Sequence, residues 1–164
     1  MATALKNLST YDASKVPSAE NMKIGIVISE WNTEVTTALA NGAITTLLKH
    51  GVKETNIPIK HVPGSFELPL GAQLFIEDAD VDAVIILGCV IQGETRHFDF
   101  ICQSVADGIM KLNIEYMVPV IFGLLTTNNL QQAIDRSGGK HGNKGYEAAI
   151  TAIKMVDLKK KSSL

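Results

Sequence analysis

The run Asp82-Ala83-Val84-Ile85-Ile86-Leu87-Gly88-Cys89-Val90-Ile91 is almost continuously apolar and rich in β-branched residues. A strand with one wet face alternates polar and apolar side chains. A strand without that alternation needs apolar cover on both faces, which is the condition of a central parallel strand between two helical layers. The run is also far short of the roughly 20 residues a membrane-spanning helix needs, and Gly, Asp and Glu break every other apolar stretch of the chain.

Around this strand the hydrophobic period keeps switching. Residues 23–29 form a short β-branched run, and Val35, Leu39, Ala43 and Leu47 follow at four-residue steps, so a strand leads into an amphipathic helix. Thr33 is read as the N-cap of that helix and Gly51 as its stop, just after His50. A second strand is expected over 56–62, then a Pro63-Gly64 turn and a helix over 66–78. Beyond the apolar run come a helix over 98–116, a strand over 118–125, a helix over 130–136 and a glycine-rich turn. A final helix has Tyr146, Ala149, Ile150, Ile153 and Val156 on one face. Strands alternating with helices imply right-handed crossovers, hence a single α/β domain on a four-stranded parallel sheet. Residues 1–21, with Pro17, read as an extended arm or short edge strand. The domain proper spans 22–158, and 159–164, with Lys159-Lys160-Lys161, reads as a basic tail or solvated helix end.

Composition removes several function classes. The 164 residues are 46% apolar and 20% charged, with a formal net charge of -2, so there is no basic field for a nucleic-acid backbone. The first 21 residues lack the apolar core of a signal peptide. Both cysteines, Cys89 and Cys102, lie in apolar stretches and read as small hydrophobes, which fits a reducing cytoplasmic setting. No Gly-rich Lys-Ser/Thr loop and no Gly-x-Gly-x-x-Gly opens a helix, so ATP, NAD and FAD lack their usual signatures. The four histidines are scattered without ligand spacing, and no metal is expected.

In open parallel sheets, ligands sit outside the carboxyl ends of the strands, so the loops there are where chemistry is expected. The first carries Trp31, the only tryptophan, whose indole could stack on a flat heterocycle or simply cover the sheet edge. The second, Pro63-Gly64-Ser65-Phe66-Glu67, offers a hydroxyl, helix-start amides and a carboxylate, suited to a polyhydroxylated chain or to ordinary helix initiation. The third is Gly93-Glu94-Thr95-Arg96-His97. Here glycine permits close backbone approach, amides opening a helix bind anions, and His97 titrates near neutrality. Phe122, in the end segment of the fourth strand, reads as core or pocket wall. Arg136, Lys140, His141 and Lys144 cluster about Gly138-Gly139 and Gly142, and a guanidinium there matches two phosphate oxygens. The same cluster also reads as a solvated basic helix end.

Taken in order, these segments resemble the lumazine synthase family of riboflavin biosynthesis. The resemblance runs from Lys23 to Leu158 and rests on Lys23-Ile24-Gly25-Ile26-Val27, Val62-Pro63-Gly64-Ser65-Phe66-Glu67-Leu68-Pro69, Gly93-Glu94-Thr95-Arg96-His97-Phe98-Asp99, Val118-Pro119-Val120-Ile121-Phe122-Gly123-Leu124-Leu125-Thr126, Gln132-Ala133 and Gly142-Asn143-Lys144-Gly145. It implies a flavodoxin-like three-layer sandwich whose N-terminal arm adds an edge strand to a neighbouring subunit. It also implies a transferase that condenses 5-amino-6-(D-ribitylamino)uracil with 3,4-dihydroxy-2-butanone 4-phosphate, without a cofactor. The products are 6,7-dimethyl-8-ribityllumazine, phosphate and water.

Carried over by position, the resemblance gives Trp31 the role of stacking on the pyrimidine, and Ser65, Phe66 and Glu67 that of holding ring and ribityl chain. Val90 and Ile91 line the pocket. Gly93, Glu94 and Thr95 cradle phosphate, and His97 shuttles protons. Phe122, Arg136 and Lys144 come from the neighbouring subunit, with Arg136 on the phosphate. Arg96 is given no role. Many members have phenylalanine where this chain has Trp31, and the larger indole is expected to tighten product binding. The resemblance further implies a homopentamer with sites between subunits and an association with riboflavin synthase. Some members assemble twelve pentamers into an icosahedral capsid, and the compact turn over 138–145 leans toward that shell. Two rivals are archaeal-type riboflavin synthase, which shares the fold, and a non-catalytic flavin-binding shell protein.

Overall fold

The computed structural model describes residues 7–162. Its elements in chain order are β1 (Ile24–Ser29), α1 (Thr33–Lys49), β2 (Ile59–Val62), α2 (Leu68–Asp78), β3 (Ala83–Ile91) and α3 (His97–Tyr116). They continue with β4 (Val120–Thr127), α4 (Leu130–Arg136), β5 (Ser137–Gly139), β6 (Gly142–Asn143) and α5 (Lys144–Ser162). β1 to β4 form one all-parallel sheet in the order β2-β1-β3-β4. This is the flavodoxin-like arrangement expected from the sequence.

β3 is central because its side chains are apolar on both faces. Ile85, Leu87 and Cys89 join Ile24, Ile26, Ile28, Ile121 and Leu125 on one face, under Val35, Leu39, Ala43 and Leu47 of α1 and Ala149, Ile153 and Val156 of α5. On the other face Val84 and Ile86 meet Val27, Val120 and Leu124 under Leu68, Ala72 and Phe75 of α2 and Val105, Ile109 and Leu112 of α3. Burial of this kind contributes about 1.5–3 kcal/mol for each large side chain. The four-residue steps read in α1 are thus its core face.

Element boundaries depart from the sequence reading where local polarity overrides pattern. The second strand is confined to Ile59–Val62, because Glu54–Asn56 forms a 3-10 turn and Pro58 has no N–H to give the ladder. The helix expected from 66 begins as a 3-10 turn, Ser65–Glu67, that runs into α2. The N-cap of α1 is Asn32 and not Thr33, whose hydroxyl instead donates to the Glu30 carbonyl at 2.7 Å. Gly51 does end α1, at φ +96, a conformation costly for other residues. The glycine-rich turn contains the small antiparallel β5–β6 pair, which its Gly-Ser composition gave no pattern to foresee. Residues 159–162 do not leave the fold as a tail but continue α5.

Part of the arm, residues 1–6, lies outside the described residues, as do 163–164 of the tail. Residues 7–21 form no strand; Ala13–Lys15 is a 3-10 turn, and Leu8 N–H donates to the His141 carbonyl at 2.7 Å. Among the described residues, no helix is long and apolar enough to cross a membrane.

The strand order sets where a ligand can sit. β1 has β2 on one side and β3 on the other, and the helices that follow β1 and β3 cover opposite faces of the sheet. Their loops therefore diverge at the carboxyl ends and leave a crevice between them.

Candidate active site

That crevice is a cleft of about 680 Å³. Three loops build it: Trp31 and Asn32 after β1, Gly64, Ser65, Phe66 and Glu67 after β2, and His97 with Phe100 and Ile101 at the start of α3. Its floor is the end of β3, at Cys89, Val90 and Ile91. Seven of the residues named from the sequence thus share one cavity: Trp31, Ser65, Phe66, Glu67, Val90, Ile91 and His97.

The local chemistry follows from how each loop folds. Trp31 and Phe66 are exposed at 72% and 56%, large apolar surfaces that the chain itself leaves uncovered. Ser65 is buried, directly under the cleft, while Glu67 stands at the start of α2, where the helix dipole favours a carboxylate. Aromatic plates, a hydroxyl and a carboxylate around one cleft suit a flat polar ring carrying a polyol.

His97 is the first residue of α3 and lines the cleft. Its backbone N–H donates to Thr95 Oγ1 at 3.4 Å. Gly93, Glu94 and Thr95 do not line the cleft; they form the exposed loop joining two residues that do, Ile91 and His97. A Cβ added to Gly93 would meet nothing within 4 Å, so packing inside the chain does not require glycine there. Gln92 Nε2 steadies this loop by donating to the Gly93 carbonyl at 2.9 Å. Arg96, exposed, pairs with Asp99 at 3.5 Å, and its guanidinium lies 5.9 Å from the centroid of the Phe100 ring.

Phe122, Arg136 and Lys144 are not among the residues of the cleft. Phe122 and Lys144 instead line a second cavity, of about 420 Å³, over β4 and α5. There the Lys144 ammonium, largely buried, pairs with Glu147 at 2.7 Å. Arg136 Nη1 donates to the Gln132 carbonyl of its own helix at 3.1 Å.

Five lining residues have no site role in the sequence reading: Asn32, Gly64, Cys89, Phe100 and Ile101. Phe100 and Ile101 lie three and four residues after His97 on one helix, a spacing that puts them on the same face and could have revealed them. Cys89 was read as core, and is both core and floor. Burial pushes its thiol up to about 11, so it is uncharged at neutral pH. Among the described residues no group of His, Cys, Asp and Glu is placed to hold a metal ion.

Comparison with known proteins places the chain in a family. The family model of 6,7-dimethyl-8-ribityllumazine synthase matches residues 21–160. The 6,7-dimethyl-8-ribityllumazine synthase of Phocaeicola vulgatus is 58% identical over 161 residues, 98% of this chain and 96% of its own. That of Parabacteroides distasonis is 58% identical over 158 residues, 96% of this chain and 99% of its own. The Bacteroides fragilis protein of the same name is 60% identical over 137 residues, 84% of this chain and 96% of its own. With the loops, the cleft and the full-length likeness in agreement, this chain belongs to the 6,7-dimethyl-8-ribityllumazine synthase family.

Proposed function

We propose that the chain catalyses the condensation of 5-amino-6-(D-ribitylamino)uracil with 3,4-dihydroxy-2-butanone 4-phosphate to 6,7-dimethyl-8-ribityllumazine in riboflavin biosynthesis. The observation that carries the reading is the cleft at the β1/β3 crevice, with aromatic plates, a serine, a glutamate and His97 around one opening. Trp31 stacks on the pyrimidine. Ser65, Phe66 and Glu67 hold the ring and the ribityl hydroxyls, and Val90 and Ile91 close the far wall. The exocyclic amine of the pyrimidine attacks the ketone, and water leaves to give an imine. Phosphate then departs, and ring closure expels water again. Each step moves protons without redox change, so the task of the protein is positioning, anion binding and proton transfer at His97.

Gly93, Glu94 and Thr95 belong at the phosphate end, where an exposed loop opens the 20-residue helix α3 and the amides of a helix start favour an anion. A guanidinium completes such a site, and among the described residues none lines the cleft within one chain. We therefore assign Arg136, Phe122 and Lys144 to the site of the adjoining subunit in a homopentamer. The outer face of α3 fits such an assembly, since Met110 and Ile114 are exposed on it, Phe100 is exposed at its cleft end and Met117 just past its last residue. A sixty-chain shell, an edge strand donated by the arm, and association with riboflavin synthase are extensions of the same reading. So is a cytoplasmic setting, which both free cysteines suit.

Incubation of the purified protein with both substrates tests the proposal, with lumazine formation expected at a rate above the spontaneous condensation. Incubation with lumazine alone separates the rival: riboflavin formation there would point to a riboflavin synthase. Tight riboflavin binding without acceleration would point to a non-catalytic carrier.

A further inference from the structure

Trp31 is held by little except its backbone. Its indole is 72% exposed within the chain, so the direction in which it faces the cleft is set by the loop that carries it. The next residue, Asn32, sits at φ 59 and ψ 49, in the left-handed region that residues other than glycine rarely enter. An asparagine ahead of a helix ordinarily caps it by accepting a hydrogen bond from the first turn. Asn32 makes no such bond. Its carboxamide Nδ2 instead donates at 2.9 Å to the carbonyl oxygen of Cys89, the β3 residue immediately before the Val90-Ile91 wall.

We propose that Asn32 is a positioning residue for the pyrimidine site: its bridge to Cys89 fixes the gap between the Trp31 indole and the β3 wall in which the ring is held. The inference rests on the reading of Trp31 as the stacking surface. The bridge joins the loop after β1 to the carboxyl end of β3 itself at the β1/β3 crevice, so it sets the width of the opening there. It does so at no expense to α1, whose first turn is anchored separately. The Asn32 carbonyl accepts from Val35 N–H at 3.0 Å and from Thr36 N–H at 3.1 Å, and Thr33 Oγ1 donates to the Glu30 carbonyl.

Two variants separate the bridge from the backbone. Asn32→Gly keeps the left-handed conformation and deletes the bridge. Asn32→Asp keeps the shape and sets a carboxylate oxygen against the Cys89 carbonyl, turning attraction into repulsion. Because the chain has one tryptophan, the fluorescence of the substrate-free protein, excited selectively at the indole and not at the tyrosines, reports on Trp31. Both variants are expected to lower the indole's steady-state anisotropy and increase its quenching by acrylamide. They are also expected to raise KM for the pyrimidine roughly tenfold, the size of one lost hydrogen bond to a buried acceptor, with KM for the butanone phosphate unchanged. Unchanged anisotropy and quenching would overturn the proposal, even with a raised pyrimidine KM, since Asn32 would then act by touching the substrate. An unchanged KM with a loosened indole would overturn it as well. A wild-type protein that forms no lumazine would remove the functional reading, while the fluorescence arm would still decide whether the bridge orders Trp31.

Discussion

Single side chains set the chemistry proposed for the cleft, and they make separable predictions. Arg136 is assigned to the phosphate and nothing else, so Arg136→Ala should raise KM for the butanone phosphate by roughly tenfold to a hundredfold, the worth of a charge-assisted pair. KM for the pyrimidine should hardly move, and steady-state kinetics with each substrate varied in turn checks this. His97 is assigned to proton transfer, so His97→Ala should lower kcat by on the order of tenfold or more while leaving binding of the lumazine product, measured by titration, near its wild-type value. Cys89 gives a pH signature. Its thiol ionises near 9.0 when unfolded but is held up to about 11 by burial in the fold, so the unfolded chain loses its proton first. The contribution is complete below pH 9 and disappears as pH rises toward 11. Urea denaturation across this window should show the wild type losing stability more steeply than Cys89→Ala.

At the scale of elements, the central strands and long helices were legible because burial on both faces of a sheet leaves an unmistakable apolar run, as in β3, and because α1 shows its core face every fourth residue. What stayed hidden was built from polar or small residues. β5 and β6 have no hydrophobic period, and the edge strand β2 is shorter than its apolar surroundings suggested. The loops of the cleft were legible one by one, since Trp31, Glu67 and His97 are conspicuous beside glycine and proline. Asn32 was not, because its part depends on an unusual backbone angle and on a carbonyl 57 residues away. Asn143 is a second such case. It lies between the Lys144 and Arg136 regions, donates to the carbonyls of Ala38 at 2.9 Å and Ser137 at 3.0 Å, and accepts from Gly145 N–H at 2.7 Å. One buried amide thus ties β5 and the start of α5 to α1. Asn143→Ala would leave several of these groups unpaired and should destabilise the protein by about 2–4 kcal/mol in a denaturant titration.

For the molecule as a whole, the central claim is that one chain holds only part of the site. The cleft gathers seven of the sequence-identified residues in a single crevice, whereas Phe122 and Lys144 line a different cavity and Arg136 lines neither. An exposed apolar row along α3 gives copies of the chain a surface on which to join. Separating the purified protein by sedimentation velocity, and measuring lumazine formation from both substrates in each species, tests this directly. Activity should travel with a pentamer or a larger assembly of pentamers and be missing from the monomer. Turnover by the monomer at the rate of the assembly would contradict the account.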